Sequence, residues 1–219
     1  MRISPAVVIF DYGNVLSGPQ PAADAQAMSA ILDLPLAQFA ELYWRFRVDY
    51  DAAQLSPAEY WYAVARAGAR SLTPGQIAEL NAIDAPSWSH PAAFMADWAR
   101  ALRSSGLRIA LLSNMPVTVR DYVLGCSWLP EFDARTFSCE VGVSKPAPEI
   151  YQDCLAKLGG RPSDALFLDD KEPNIRAAEA LGLHAILFTN AASAASELDA
   201  RFQLPVTLSN LIDSPRSAD

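Results

Sequence analysis

A parallel α/β sheet wound on both faces by helices, with a second block of helices inserted into it, is the fold class this sequence predicts. Short apolar runs, Val7-Val8-Ile9-Phe10, Ile109-Ala110-Leu111-Leu112 and Leu166-Phe167-Leu168, each stop at a polar residue. Runs of that length bounded by turn signals read as strands buried on both faces. Helically spaced stretches alternate with them, the pattern of strand-helix-strand crossovers and hence of a parallel, Rossmann-like sheet. Ligands in such a sheet bind beyond the carboxyl ends of the strands. Asp11, Ser113 and the pair Asp169-Asp170, which stop the runs, are therefore expected to converge on one crevice, together with Lys145 of Val143-Ser144-Lys145-Pro146.

The first strand is expected at about 6–10, followed by the turn Tyr12-Gly13-Asn14 and the loop Ser17-Gly18-Pro19-Gln20-Pro21. From about 22 to 85 the pattern is helical, with Ala25, Met28, Ile31, Leu32 and then Phe39, Leu42, Tyr43, Phe46 recurring at steps of three and four. Ser56-Pro57-Ala58-Glu59 opens a helix there: serine caps, proline takes the first position, and glutamate reaches back. Thr73-Pro74-Gly75-Gln76 repeats the arrangement. These four or so helices are expected to form a separate helical cap (17–85) over a core made of 1–16 and 86–219.

Helical spacing resumes at about 91–104, where His90 is expected to help cap the helix, and a strand follows at 107–112. Ala147–Leu158 is the next helix, stopped by Gly159-Gly160 before a strand at 165–168. A third unit has Pro173 near the start of a helix through Ala180, Gly182 as its stop and a strand from His184 to Phe188. Pro205-Val206-Thr207-Leu208 is expected to add an edge strand, after an alanine-rich helix near 191–200, and Ser214–Asp219 has the composition of a disordered end.

With 219 residues the chain can hold one large core, or a core with a smaller inserted domain. A formal charge of −8 and a pI near 4.7 argue against nucleic acid or an anionic membrane as partner. The first apolar run is too short for a signal peptide or a membrane span, so a cytoplasmic protein, monomer or homodimer, is expected. Cys126, Cys139 and Cys154 form no Cys-x-x-Cys pair and read as reduced, small core residues.

An aspartate presented by a turn at a strand end can act as a carboxylate nucleophile. Its attack on a phosphate meets like-charge repulsion, so the site needs cations. Asp169-Asp170 supply the hard oxygen ligands that Mg²⁺ prefers; Asn174, four residues on, can orient a metal-bound water. Lys145 adds a positive charge. Only three lysines stand against fourteen arginines, which suggests a compact ammonium chosen for this place. Ser113, Asn114 and the amides there would hydrogen-bond phosphoryl oxygens. Taken singly, most of these residues have duller explanations: an aspartate after a strand is usually a turn cap, and a lysine is usually solvated. Cap residues Tyr43, Trp44, Arg45, Arg47, Tyr50, Trp61 and Tyr62 could line a pocket, although aromatics at helical spacing are more often core.

Four segments occurring together carry more weight. Phe-Asp-Tyr-Gly-Asn-Val at 10–15, Leu-Leu-Ser-Asn at 111–114, Val-Gly-Val-Ser-Lys-Pro-Ala-Pro-Glu-Ile-Tyr at 141–151 and Leu-Phe-Leu-Asp-Asp-Lys-Glu-Pro-Asn at 166–174 resemble, in order, the motifs of the haloacid dehalogenase-like hydrolase superfamily, most of whose members are phosphatases. The resemblance implies Asp11 as the nucleophile that becomes an aspartyl-phosphate, Ser113 as a phosphate ligand and Lys145 as the charge partner. It also implies a Mg²⁺ site made by Asp11, the carbonyl of Gly13, Asp170 directly and Asp169 through water.

One position departs from that family. The usual phosphatase has a second aspartate two residues after the nucleophile, as general acid and then base; here it is Gly13. General acid–base catalysis contributes roughly 10²–10⁴-fold, so basic alcohol leaving groups should be turned over poorly. The Asp-x-Gly-Asn-Val form is similar to that of bacterial glucose-1-phosphate phosphatases, which implies a small phosphorylated substrate, a sugar phosphate first. Alternatives are a 2-haloacid dehalogenase, in which the paired carboxylates would be idle, and a weakly catalytic binding or regulatory protein.

Overall fold

A computed structural model describes residues 2–213 of the chain. It contains, in order, strand β1 (Val7–Phe10), five helices α1 (Ala22–Ile31), α2 (Leu36–Arg45), α3 (Arg47–Asp51), α4 (Pro57–Ala67) and α5 (Pro74–Ser87), then α6 (Ala93–Ser104) and β2 (Arg108–Ser113). Next come α7 (Val117–Leu124), β3 (Ala134–Phe137), α8 (Ser138–Val141), α9 (Pro148–Leu158), β4 (Ala165–Asp169), α10 (Glu172–Ala180), β5 (His184–Leu187), α11 (Ala191–Arg201) and α12 (Leu208–Asp213). The strands form one five-stranded sheet in the order β3-β2-β1-β4-β5, and every pairing is parallel. This is the doubly wound α/β sheet that the apolar runs predict, with β1 at its centre.

The runs are continuous because both faces of the sheet are covered, and the two-residue period of a strand assigns each side chain to a face. Val8 and Phe10 join Ile109, Leu111, Leu166 and Leu168 on one face, where Phe10 meets the ring of Trp98 from α6 at 5.5 Å. Val7 and Ile9 point the other way, with Ala110, Leu112 and Phe167, against Ile150, Tyr151 and Cys154 of α9.

Helices α1–α5 enclose an apolar cluster of their own, including Met28, Leu42, Tyr60, Trp61 and Leu80. Both expected capping boxes are present. Ser56 Oγ accepts from the Glu59 amide while the Glu59 carboxylate accepts from the Ser56 amide, and Thr73 and Gln76 exchange the same bonds. Helix α5 runs through Pro86 to Ser87, two residues past the expected boundary at 85. The block is pinned to helices α7 and α8 beside the sheet by Ser138 Oγ, which donates to the Asp51 carbonyl at 2.6 Å, and by a hydroxyl pair between Tyr50 and Thr118 at 2.8 Å.

Several expectations need correction. The segment Pro205–Leu208 is no strand. Proline lacks an amide to donate, the Val206 carbonyl is taken by the indole N–H of Trp98, and Leu208 is buried as the first residue of α12. His90 does not cap α6; its contribution is its carbonyl, which accepts the Gly18 amide at 2.6 Å. Of the three free cysteines only Cys154 is buried, while Cys126 and Cys139 are half-buried. The strand end at 107–112 slides by one, so that Ser113 is the last residue of β2, and Asp169 likewise ends β4. Helix α7 and strand β3 were not anticipated; Ala134-Arg135-Thr136-Phe137 is a short edge strand with an exposed arginine and too little apolar pattern to stand out. The segment Ser214–Asp219 lies outside the described residues.

Candidate active site

Because β1, β2 and β4 are parallel neighbours, their carboxyl ends lie at one edge of the sheet, and in-register pairing sets Phe10 beside both Leu111 and Leu168. Asp11 follows immediately, its amide donating to the Leu168 carbonyl at 2.9 Å as the ladder's last rung. Ser113 ends the strand on one side and Asp169 the strand on the other. Three turns then aim polar side chains into a cavity of about 660 Å³. Asp11, Gly13, Asn14, Ser113, Lys145 and Asp170 all line it.

Lys145 is the hub. Its Nζ lies 2.7 Å from Asp11 Oδ1 and 2.6 Å from Asp169 Oδ2, and donates to the Leu112 carbonyl at 2.9 Å. Three partners suit the three N–H groups of an ammonium. Burial works against its charged form, but the carboxylates of Asp11 and Asp169 more than offset that and hold its pKa above the ordinary value. The lysine is therefore a fixed cation. Asn114 keeps it in place: its amide donates to the Lys145 carbonyl at 3.0 Å and its Oδ1 accepts the Lys145 amide at 2.8 Å. The side chain assigned to phosphate thus grips the lysine's backbone.

Asp11 Oδ1 takes both the Lys145 ammonium and the Tyr12 amide at 2.7 Å, whereas Oδ2 accepts no hydrogen bond among the described residues. Burial raises the Asp11 pKa to about 7 against the pull of Lys145, with Asp169 and Asp170 adding to the rise. Asp169, wholly buried, accepts from Asn174 Nδ2 at 2.9 and 3.0 Å and from the Lys171 amide at 2.8 Å. Asn174, expected to orient a metal-bound water, orients this carboxylate. Asp170 is half-buried and accepts from Asn14 Nδ2 at 2.8 Å. Asn14 adopts a left-handed backbone with φ of 60°, a conformation asparagine tolerates better than most residues.

Asp11, Asp169 and Asp170 each offer an oxygen within 4.8 Å of the other two. Three carboxylates so close repel one another, and one lysine cannot neutralise them. An all-oxygen donor set of this charge fits a hard divalent cation such as Mg²⁺. At Gly13 a side-chain carbon would meet nothing within 4 Å, so the usual second acid is absent where space for it exists.

The opposite wall comes from the helical block. Of the candidates named there from sequence, Trp44 and Arg47 line the cavity. Tyr43, Tyr50 and Trp61 are core residues, Arg45 pairs with Glu41 at the surface, and Tyr62 is not part of the lining. Sequence reasoning missed Asp51, Trp88 and Ser144. Asp51 carried a usable signal, standing four residues after Arg47 on one helix face. Arg47 is 5% exposed and bonded to Asp51 at 2.7 Å, to Asp84 at 3.2 Å and to the Tyr43 hydroxyl at 2.6 Å.

A sequence model of the haloacid dehalogenase-like hydrolases matches residues 7–182. Acyl-CoA dehydrogenase family member 10 of Mus musculus is 38% identical over 113 residues, 49% of this chain and 10% of that protein. The chain spans only 10–19% of the length of the first four curated relatives it matches. The sesquiterpene phosphatase astK of Aspergillus oryzae is 25% identical over 87% of this chain and 93% of its own. Among solved structures, a HAD-like hydrolase of Porphyromonas gingivalis superposes with a TM-score of 0.69 at 24% identity, over 93% of this chain and all of that one. An enzyme of Bacteroides thetaiotaomicron, solved with magnesium and inorganic phosphate, gives 0.64 at 20% over 84% and 93%. The L-2-haloacid dehalogenase PA0810 gives 0.60 at 18% over 84% and 82%.

Proposed function

The chain belongs to the haloacid dehalogenase-like hydrolases, and from that premise we propose that it is a Mg²⁺-dependent phosphomonoesterase working through an aspartyl-phosphate on Asp11. The observation that carries the reading is the setting of Asp11. One carboxylate oxygen is tied to Lys145 and the Tyr12 amide, leaving Oδ2 open, with two further carboxylates beside it. Asp11 and Asp170 would hold the Mg²⁺ directly and Asp169 through water, with Gly13 contributing its carbonyl. Bound there, the ion would neutralise phosphoryl oxygens and carboxylates together. Phosphatase relatives and a structural neighbour solved with magnesium and phosphate lend support.

Asp11 Oδ2 attacks phosphorus in its ionised form, which Lys145 favours against burial, and Lys145 offsets the incoming charge. Ser113 and the backbone after it receive the phosphoryl oxygens. The leaving oxygen departs with little help, because no acid stands at position 13, and water then releases phosphate from Asp11. Residues 17–85 serve as a cap whose Trp44, Arg47 and Asp51 face the leaving group, with 1–16 and 86–213 as the hydrolase core. The substrate is a small phosphate ester whose leaving oxygen needs little protonation. The sugar 1-phosphate expected from the sequence is one such ester and aryl phosphates are others; acyl phosphates, which are mixed anhydrides, share the same undemanding leaving group.

The testing experiment measures phosphate release from sugar, acyl and aryl phosphates with Mg²⁺ and with chelator, alongside halide release from a 2-haloacid. Mg²⁺-dependent phosphate release is expected. Metal-independent halide release would make the chain a dehalogenase instead, and no turnover of any ester would leave a binding protein.

A further inference from the structure

Much of the cavity wall away from the carboxylates is apolar. Beyond the phosphate end it is lined by Tyr12, Trp44, Val48, Trp88, Met115 and Val119. Trp44 is 50% exposed and Val48 65% exposed, large apolar groups left uncovered at the entrance. Trp44 meets Trp88 edge-on at 6.0 Å, and Lys171 Nζ from the opposite side stands 5.9 Å from the Trp44 ring. The two charged side chains of this wall, Arg47 and Asp51, are bonded to each other at 2.7 Å, and Arg47 is further engaged by Asp84. They are committed to the fold. A sugar brings several hydroxyls that lose water on entry and need new partners; this wall offers mostly rings and methyl groups.

Resting on the phosphatase reading above, we propose that the substrate is a phosphate monoester of an aromatic alcohol, its ring system filling the apolar half of the cavity. The absence of an acid at position 13 points the same way independently. A phenol ionises near pH 10, far below the value of about 15.7 for water, so a phenolic oxygen leaves without a proton donor. The Asp11 Oδ2–phosphorus bond forms as the phosphorus–oxygen bond to the ring breaks, and the phenolate keeps the electron pair and takes a proton from solvent. Water attacks the aspartyl-phosphate next, giving inorganic phosphate, regenerating the Asp11 carboxylate and passing its proton to solvent.

The test compares 2-naphthyl phosphate with phenyl phosphate, whose leaving oxygens are similar in basicity but whose apolar surfaces differ, with glucose 1-phosphate and acetyl phosphate as further substrates, all with Mg²⁺. The wild type should favour the naphthyl over the phenyl ester by about fivefold to tenfold in kcat/KM, mostly through KM, and either over glucose 1-phosphate. Trp44→Ala, at a half-exposed position, should bring the naphthyl-to-phenyl ratio close to one, and Val48→Asn should lower it. A preference for glucose 1-phosphate, or a ratio untouched by both variants, overturns the proposal while turnover of acetyl phosphate upholds the phosphatase. Failure of every ester and of acetyl phosphate overturns both.

Discussion

At the scale of single residues the site is arranged around charge. Asp11→Asn should abolish phosphate release, since an amide cannot attack phosphorus, and beryllofluoride, which mimics phosphate on a carboxylate, should bind the wild type alone. The same change bears on stability. The Asp11 pKa rises on folding from 3.8 to about 7, chiefly through burial, so the folded state holds the proton more tightly than the unfolded state. Stability of the metal-free protein should be greatest below pH 3.8 as far as this group is concerned, and should fall as pH rises through about 7. Urea denaturation in the presence of chelator should find that fall reduced in Asp11→Asn. Gly13 supplies the second residue-scale expectation. A side-chain carbon there meets open space, so Gly13→Asp should be accommodated and act as the missing acid. Rates over a series of phosphate esters, steeply dependent on leaving-group basicity in the wild type, should become flatter. Alkyl phosphates should gain up to roughly 10²-fold. A wild-type rate insensitive to leaving-group basicity would mean that another donor already serves.

Among elements, the buried polar network of the helical block ties three helices together. Arg47 of α3 reaches Asp51 on its own helix, Asp84 on α5 and Tyr43 on α2, and the Tyr43 hydroxyl donates to Asp84 at 2.5 Å. Its guanidinium also lies 5.1 Å and 5.4 Å from the ring centres of Tyr43 and Tyr50. Burial disfavours the Arg47 charge, but Asp51, Tyr43 and Asp84 together raise its pKa. A charge in such a place is costly once a partner goes. Asp84→Ala should destabilise the protein by about 3–5 kcal/mol, read as a lower urea midpoint, and Asp84→Asn by less because it keeps a hydrogen-bond acceptor. An unchanged midpoint in Asp84→Ala would mean that water already satisfies the arginine.

For the whole molecule the relevant quantity is the linkage between the proposed metal and the fold. A ligand that binds only the folded chain stabilises it by about 2.7 kcal/mol at a hundred times its dissociation constant. For a chain of this size that corresponds to roughly 2–4 °C in Tm per kcal/mol. Wild type should therefore melt about 5–11 °C higher in saturating Mg²⁺ than in chelator, and Asp170→Ala should show little of that rise. Asp170 is the best residue for the comparison: it is half-buried and its contact is with Asn14, so its loss should disturb the packing least. Equal shifts in the two proteins would place the ion elsewhere. No helix among the described residues is long and apolar enough to cross a membrane.

Much of this was legible in the amino-acid order because the signals are local. A strand covered on both faces must be apolar throughout, so β1, β2 and β4 announced themselves, and the polar residues Asp11, Ser113 and Asp169 marked their ends. The capping boxes at Ser56 and Thr73 act over three residues and were as plain. Edge strand β3 was silent because Arg135 and Thr136 break up the apolar pattern of its four residues, although three of them are buried. Tertiary structure alone decided the rest. Asn114, expected to bind phosphate, is seen to grip the backbone of Lys145, and Asn174, expected to orient a metal-bound water, is seen to hold Asp169, because an amide bonds whatever donor or acceptor the fold brings near it. Trp44 and Tyr43 are adjacent aromatics on one helix; packing buries Tyr43 in the block's core and turns Trp44 to the cavity. Helical periodicity shows which residues share a face, and only the tertiary placement of α2 and α3 beside the cavity shows what that face meets.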